Sequence, residues 1–376
     1  MRAEATTLAA ILLASTLMCG CGGSGGTLGG GGTLPAPPTI STTTGGQTGA
    51  QNGAVIVTLA ATSGTIYYTV DGSTPTTSSQ VYQAPFLVAS NLTVNAIAVA
   101  AGTSSTVTTE AFSPNIASNT LVWSDEFTST GTPSQPNPAI WTYDTGNSGF
   151  GNGELENYCA WGSNTSPCST ANPSEFVGAN DGYLHIVAQQ PSYGVYTSAR
   201  LKTQGLFSFQ YGRLEFRAAV PEAQGFWPAA WLLGNNIAIP TVSWPACGEQ
   251  DVLERVNAAL NPDWNEGSVH GPGFTGGTGL GVKYNFPVGQ TASQFHTYGM
   301  AWAKGTVTYY VDQIPYATFN TGSLSGLNGA VWPFDAGESN FILLNLAIGG
   351  GFPGPPDSST PFPSEMLVDY VRLYSN

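Results

Sequence analysis

The sequence predicts an all-β protein built from stacked sheets. Short runs rich in Val, Ile, Thr, Tyr and Phe recur along the chain, and turn residues separate them. Almost no stretch shows the 3.6-residue periodicity of an amphipathic helix. Strands with one polar and one apolar face need a partner sheet, so two stacked sheets are expected. The 376 residues are too many for one small domain and accommodate two.

The first 35 residues are expected to serve export rather than folding. Residues 7–18 form a short apolar stretch after a charged start, which is typical of a signal peptide. The cysteines that follow resemble a bacterial lipoprotein box: Cys21 is the better candidate for lipid attachment, Cys19 is a second, and an ordinary cleaved signal is the alternative. Residues 1–21 are therefore assigned to a signal peptide or lipoprotein segment and residues 22–35 to a Gly-rich linker. We expect a secreted or cell-surface bacterial lipoprotein.

Residues 36–114 are predicted to form a small β-sandwich module. Three strands are expected over 54–59, 65–70 and 92–99, with a tight turn at 71–75. The segment from Tyr67 to Pro75 resembles the module at the C-terminus of chitobiases and hexosaminidases. It carries no catalytic constellation, so a spacer is the favoured role and carbohydrate binding is the alternative.

Residues 119–376 are predicted to form the larger domain. Strands are expected over 206–220, 306–312, 341–348 and 366–374. In the first of these, Leu214, Phe216 and Ala218 alternate with three charged residues, so one face is apolar and the other charged.

The charge pattern excludes some partners. Nine Lys and Arg stand against 23 Asp and Glu, for a formal net charge of −14, and no basic run is present. Nucleic acid is therefore not an expected partner. No apolar run after the N-terminus has the length of a membrane span. Rare Lys and abundant Gly, Ser and Thr are typical of a secreted β protein that faces a neutral substrate, and we expect a monomer.

Three carboxylates fall within six residues at Glu249, Asp251 and Glu254, in a chain where only 9% of residues are charged. Alternation along a strand puts Glu249 and Asp251 on one face, and Glu254 joins them if one extra residue is bulged out after Asp251. Bulges occur next to active sites because they re-aim a side chain. Since aligned like charges cost stability, we interpret the row as catalytic; a solvated face or a metal site is the alternative.

The row has the geometry of a sugar-cleaving pair. Glu249 and Glu254 would lie four strand steps apart, and side chains leaning inward on a curved sheet would bring their carboxyls to about 5–6 Å. That separation suits a nucleophile and a proton donor in a retaining glycosidase. Repulsion within the row keeps one glutamate protonated near neutral pH, as the donor requires.

The motif Glu249-x-Asp251-x-x-Glu254 resembles the signature of glycoside hydrolase family 16, in the bulged form of its laminarinase-like members. Further matching segments occur in the family's order over about 120–376, at residues 123–127, 197–201, 211–213, 226–234, 244–248, 269–273, 295–298 and 366–372. The resemblance implies a jelly roll whose concave sheet carries the cleft. It makes Glu249 the nucleophile, Glu254 the acid/base and Asp251 a helper. Gln250 departs from the family's aliphatic residue and would place a buried amide in the core.

Six side chains are candidate sugar contacts. Aromatic faces suit the apolar faces of pyranose rings. Trp227 and Trp231 share a strand face, with a core position as the alternative for each, and Trp244 and Trp264 are cleft-loop candidates. By resemblance, Arg200 contacts sugar, with a surface salt bridge as the alternative. His270 likewise resembles the family histidine on the leaving-group side, against a purely structural role.

Cysteine spacing and one buried carboxylate indicate further sites. Cys159 and Cys168 lie nine positions apart in a loop-like stretch, and an exported chain is oxidised, so a disulfide is expected, with Cys247 as a small buried residue.

Asp369 alternates with apolar residues of the last strand. Together with Glu126 and a Gly182 carbonyl it resembles the family's calcium ligands; a hydrogen bond to Asp369 is the alternative. The chemistry itself requires no cofactor.

We therefore expect an exported retaining endo-β-glucanase acting on laminarin-type β-1,3-glucan. Mixed-linkage β-1,3-1,4-glucanase, agarase and transglycosylase activities are alternatives within the same family. A non-catalytic glucan-binding surface protein and a structural adhesion protein are alternatives of a different class.

Overall fold

The structure is a computed structural model that describes residues 34–256, 263–335 and 337–376. The predicted export segment, with Cys19 and Cys21, and the linker up to residue 33 lie outside the described residues. Residues 35–376 form one compact unit. Within the described part of the chain, no helix has the length and apolar character needed to cross a membrane.

A small two-sheet module precedes the larger domain. Its eight strands are β1 (Thr39–Thr43), β2 (Val55–Ala60), β3 (Thr65–Thr69), β4 (Gln80–Val81), β5 (Phe86–Val88), β6 (Leu92–Ala100), β7 (Thr103–Ser104) and β8 (Thr108–Phe112). One sheet has the order β1-β2-β5; the other has the order β4-β3-β6-β7, with β8 also paired to β6. Val57, Tyr68, Phe86 and Val94 are buried between the two sheets. The expected β-sandwich is therefore present.

The larger domain consists of two packed sheets. Its strands are β9 (Leu121–Asp125), β10 (Thr142–Asp144), β11 (Glu156–Tyr158), β12 (Glu175–Val177), β13 (Leu184–Ser192), β14 (Val195–Ser198), β15 (Arg200–Lys202), β16 (Gly212–Ala219), β17 (Phe226–Gly234), β18 (Glu249–Glu254), β19 (Trp264–His270), β20 (Leu280–Asn285), β21 (His296–Ala303), β22 (Thr306–Val311), β23 (Ile314–Asn320), β24 (Asn340–Ile348) and β25 (Ser364–Tyr374). Short 3₁₀ turns lie at Gly46–Thr48, Gly149–Gly151, Asn235–Ala238, Gly276–Thr278 and Thr321–Leu324.

The two sheets share one apolar core. The seven-stranded sheet has the order β10-β15-β24-β17-β18-β19-β20. The other sheet has the order β11-β14-β13-β25-β16-β21-β22-β23, with β12 paired to β13 and β9 to β25. Leu214 and Phe216 from β16 are buried against Ile342 and Leu344 from β24. The predicted all-β jelly roll is thus confirmed, and the face of the seven-stranded sheet turned away from this core is called the site face below.

The module contacts the jelly roll through backbone pairing. The N–H of Gln51 donates to the carbonyl of Val122 at 2.9 Å, and the N–H of Ser124 donates to Gly49 at 3.1 Å. Trp123, which is fully buried, donates from its indole to the carbonyl of Thr48 at 2.8 Å. The segment around Gly49 therefore pairs with β9, a strand at the edge of the larger sheet.

The last strand differs from its prediction at Asp369. A register shift occurs where Arg217 pairs with Tyr370 but Ala218 pairs with Val368, so Asp369 is the extra residue. Val368 and Val371 are buried, whereas the side chain of Asp369 is 30% exposed. The expectation that Asp369 points into the core is therefore wrong, because a bulge interrupts the alternation.

Candidate active site

A bulge in β18 turns all three acidic side chains toward the site face. On β19, Asp251 pairs with Ser268 and Glu254 pairs with Glu266, so Val252 and Leu253 together oppose the single residue Gly267. Val252 and Leu253 are both fully buried in the core. The extra residue returns Glu254 to the face of Asp251, as the sequence predicts.

Glu249 lies at the first end of the row. Its Oε2 accepts a hydrogen bond from the indole of Trp244 at 2.9 Å, and its Oε1 lies 3.8 Å from Nε2 of His270. The Trp244 side chain is 44% exposed, so its ring is available to a ligand as well. Burial, followed by the charge of Asp251, raises the pKa of Glu249, while the His270 cation and the Trp244 N–H act in the opposite direction.

Asp251 is buried in the middle of the row. Ser268 donates to its Oδ2 at 2.6 Å, and Nε2 of His270 lies 3.2 Å from the same oxygen. Burial disfavours the cationic form of His270, but the hydrogen bond to Asp251 and the charges of Asp251, Glu249 and Glu254 outweigh it and raise the histidine pKa to about 9. His270 is therefore an imidazolium at neutral pH, held against two of the three acids.

Glu254 lies at the other end of the row. Its Oε1 accepts a hydrogen bond from the indole of Trp227 at 3.0 Å. Burial, and then the charge of Asp251, raise the pKa of Glu254 to about 8. Two strongly interacting carboxyls titrate as a pair. Each glutamate accepts a hydrogen bond from an indole, but only Glu249 has the His270 cation within 3.8 Å, so we assign the shared proton to Glu254.

A fourth carboxylate, Glu266, was missed by the sequence analysis. It is the cross-strand partner of Glu254 and is half-buried on the site face. Burial, and then the charge of Asp251, raise its pKa against the opposing effect of Lys283. Alternation back from His270 places residues 268 and 266 on one face, so that pattern could have revealed it.

Arg200 and Trp231 form a second part of the site face. The Arg200 guanidinium lies between two rings, 4.8 Å from the centroid of Trp231 and 5.0 Å from that of Phe150. Its Nε donates to Asp144 at 3.0 Å, and the Trp231 indole donates to Asn345 at 2.8 Å. Trp231 is half-buried with polar partners, so it is not the fully buried core residue of the alternative prediction. Arg200 is only 9% exposed, so its ion pair with Asp144 is not the surface salt bridge of the alternative prediction.

Trp264 does not present an open ring. It is only 4% exposed, and the Lys283 ammonium lies 3.7 Å from the centroid of its ring. The expectation of a direct sugar contact is not supported for Trp264, because Lys283 covers that ring. Phe352, which is 43% exposed and 5.5 Å from the ring of Trp227, offers an open aromatic surface instead. No pattern in the sequence singled out Phe352.

The proposed calcium ligands do not fit a calcium ion. Glu126 accepts two hydrogen bonds from Arg372, at 2.9 and 2.8 Å, and Asp369 forms an ion pair with Arg217. Both carboxylates are thus neutralised by arginines. The calcium site expected at Glu126, Asp369 and the carbonyl of Gly182 is therefore not supported. Elsewhere in the described residues, donor atoms of Glu249, Asp251 and His270 lie within 4.8 Å of one another. The Nε2 of His270 lies 3.2 Å from Asp251 and 3.8 Å from Glu249, so we describe this cluster as a charge network.

The cysteines and Gln250 lie away from the site face. Cys159 and Cys168 form a disulfide, and Cys247 is a buried free thiol. Burial, and then the charge of Glu249, raise the pKa of Cys247 to about 12, so the thiol is not reactive at neutral pH. Gln250 is fully buried, and neither atom of its amide has a hydrogen-bond partner.

Two half-buried glutamates flank a buried aspartate on an open sheet face, and each glutamate accepts a hydrogen bond from a tryptophan N–H. This arrangement defines a glycosidase-type site. Residues 164–339 match the family described as glycosyl hydrolases family 16, and residues 57–112 match the Fn3-associated family. The Beta-glucanase of Rhodothermus marinus is 36% identical over 261 residues, which cover 68% of this chain and 84% of that protein. Glucan endo-1,3-beta-glucosidase A1 of Niallia circulans is 34% identical over 285 residues, 69% of this chain and 38% of its own.

A solved structure is similar over the same region. The laminarinase catalytic domain from Thermotoga maritima MSB8 superposes with a TM-score of 0.59 at 38% identity, covering 69% of this chain and 99% of that one. This protein is therefore a glycoside hydrolase, and it belongs to family 16.

Proposed function

We propose that this chain is a retaining endo-β-glucanase that cleaves β-1,3-linked glucan. The observation that carries the proposal is the Glu249–Asp251–Glu254 row on the site face, with one glutamate held near an imidazolium and the other in a setting that raises its pKa to about 8. The relatives support the linkage by their names, which specify a glucan endo-1,3-beta-glucosidase and a laminarinase.

The reaction proceeds in two displacements at the anomeric carbon. The Glu249 carboxylate attacks that carbon while the Glu254 carboxylic acid protonates the departing glycosidic oxygen, which leaves a glycosyl ester on Glu249. Glu254, now ionised, removes a proton from water, and the water oxygen replaces the Glu249 ester oxygen with net retention. Asp251 and His270 maintain the charge balance around the two glutamates.

Sugar rings contact the site face through aromatic and polar side chains. Trp244 and Phe352 supply open aromatic surface on either side of the acidic row. Trp231 and Arg200 supply a ring and a cation further along the sheet. An apolar ring face beside fixed polar groups is the arrangement that pyranose rings require.

Product analysis on laminarin, lichenan and agarose tests the proposal. We expect oligosaccharides from laminarin, with the new reducing end first appearing as the β-anomer by proton NMR, and no products from the Glu249→Ala variant. Cleavage of lichenan in preference to laminarin would identify a mixed-linkage enzyme, and longer products than the substrate would identify a transglycosylase. An initial α-anomer would contradict the retaining mechanism. Binding to glucan without cleavage would favour a non-catalytic glucan-binding protein.

We further propose that the protein is exported and monomeric. The Cys159–Cys168 disulfide supports an oxidising compartment. Metabolic labelling with palmitate, in the natural chain and in the Cys21→Ser and Cys19→Ser variants, tests the lipid anchor. Label retained in both single variants, or absent from the natural chain, would contradict it. Light scattering after size exclusion tests the monomer.

A further inference from the structure

The bulge that presents Glu254 creates a local structural problem. Two residues of β18 oppose one residue of β19, so the regular ladder of hydrogen bonds is interrupted just before Glu254. Buried backbone N–H and C=O groups need partners, and an acid whose position relative to the glycosidic oxygen must be fixed to within a fraction of an ångström needs a rigid backbone. Something must therefore fix the bulge.

The side chain of Asn265 bonds to the backbone on both sides of the bulge. Its Oδ1 accepts from the N–H of Glu254 at 3.2 Å, and its Nδ2 donates to the carbonyl of Val252 at 3.1 Å. Asn265 is completely buried. Only one orientation of the Asn265 amide places an acceptor at the N–H of Glu254 and a donor at the carbonyl of Val252, so the two hydrogen bonds together fix that orientation.

A tyrosine from the opposite sheet holds this amide in place. The hydroxyl of Tyr316, on β23, lies 3.2 Å from Nδ2 of Asn265. Gly267 leaves room for that hydroxyl, because a Cβ at this position would lie 2.5 Å from it. Asn265 and Gly267 are two apart on β19 and share the face turned to the core. The buried amide of Asn265 thus connects the bulge to the opposite sheet.

We propose that Asn265 is a positioning residue for acid catalysis, which fixes the β18 bulge so that the Glu254 carboxyl reaches the departing oxygen. The inference rests on the proposed glucanase function and assigns a role to a residue that never touches substrate. Glu249 precedes the bulge, so the loss of Asn265 leaves the nucleophile in place. Leaving-group protonation is affected and the attack on the anomeric carbon is not.

The test compares substrates that do and do not need an acid. In Asn265→Val, which removes both bonds but keeps a buried β-forming side chain, we expect kcat/KM on laminarin to fall about 10²-fold. On a 2,4-dinitrophenyl β-laminaribioside, whose leaving group departs without protonation, we expect a loss within about threefold in the glycosylation step. Tyr316→Phe should show a smaller loss with the same substrate dependence.

Azide provides a second readout that a general structural defect would not give. When Glu254 cannot activate water, azide can attack the anomeric carbon of the glycosyl ester and displace the Glu249 carboxylate, with formation of a β-glycosyl azide. We expect azide to accelerate turnover of the dinitrophenyl substrate by Asn265→Val and by Glu254→Ala, and not by the natural enzyme. NMR identifies the azide product.

Gln250→Leu is the matched control, because it removes a buried amide from the same strand that has no partner. It should leave both substrates unaffected. Equal losses on both substrates in Asn265→Val, or no loss on laminarin, would overturn the proposal. If the natural protein cleaved neither substrate, the proposed function itself would fail. Amide hydrogen exchange at Glu254 would then still decide the structural part, since unchanged protection in Asn265→Val would refute the role of that side chain.

Discussion

Replacing Asp251 with Asn should move the alkaline limit of activity to lower pH. The backbones of Asp251 and Glu254 are two effective strand steps apart across the bulge, roughly 6.6 Å at about 3.3 Å per step. We take this spacing as the distance between the two carboxylates. At that distance, and an effective dielectric constant of about 20, two unit charges interact by about 2.5 kcal/mol, which corresponds to nearly two pH units in the pKa of Glu254. Burial raises that pKa to about 8 together with the charge of Asp251, so removal of the charge should lower it to about 6.

The assay is the pH dependence of kcat/KM on laminarin between pH 5 and pH 10. The protonated fraction of Glu254 at pH 7 should fall from about 0.9 to about 0.1, so activity at pH 7 should drop roughly tenfold while activity near pH 5 changes less. The sign follows because a neighbouring negative charge stabilises the protonated acid and its removal destabilises that form.

A matched variant separates the charge from the hydrogen bonding. Ser268→Ala removes the 2.6 Å hydrogen bond to Asp251 and leaves every charge in place, so its alkaline limit should stay near that of the natural enzyme. If the limit stayed unchanged or rose in Asp251→Asn, the assignment of Glu254 as the acid whose pKa is raised by Asp251 would be refuted.

Two further outcomes are expected from groups outside the acidic row. Burial raises the pKa of Glu175 from 4.5 to about 8, so the folded state favours the protonated acid. The contribution of Glu175 to the free energy of unfolding is complete below about pH 4.5 and is lost as pH rises through 8. In thermal unfolding, the stability of Glu175→Gln should therefore vary less with pH than that of the natural chain, by on the order of a few kcal/mol. An identical pH dependence in both chains would count against this. Gly49→Ala should loosen the module from the jelly roll, because Gly49 has a φ of +75° and an added Cβ would lie 2.5 Å from the carbonyl oxygen of Ser124. Quenching of the tryptophan fluorescence by acrylamide should increase because Trp123 becomes accessible, whereas a quenching rate equal to that of the natural chain would show that the contact tolerates the change.

Much of the site could be predicted from residue order alone. The spacing of Glu249, Asp251 and Glu254 indicates a strand with one extra residue, because three acids in a chain with few charges must share a face if they act together. The positions of Trp227 and Trp231, four apart on one strand, follow from the same alternation. These are local properties, set by side-chain periodicity within one strand.

The remaining features depend on which strands become neighbours. The sequence makes Trp264 a cleft-loop candidate for sugar contact, but Lys283 lies over its ring once β19 pairs with β20. The same is true of Asp369, whose direction depends on a bulge against β16, and of Asn265, whose partners come from β18 and β23. The β architecture and the acidic row can be predicted from residue order, since both follow from periodicity along a strand. The groups that cover, neutralise or hold each side chain can be identified only in the folded chain, because those contacts join residues that are distant in the chain.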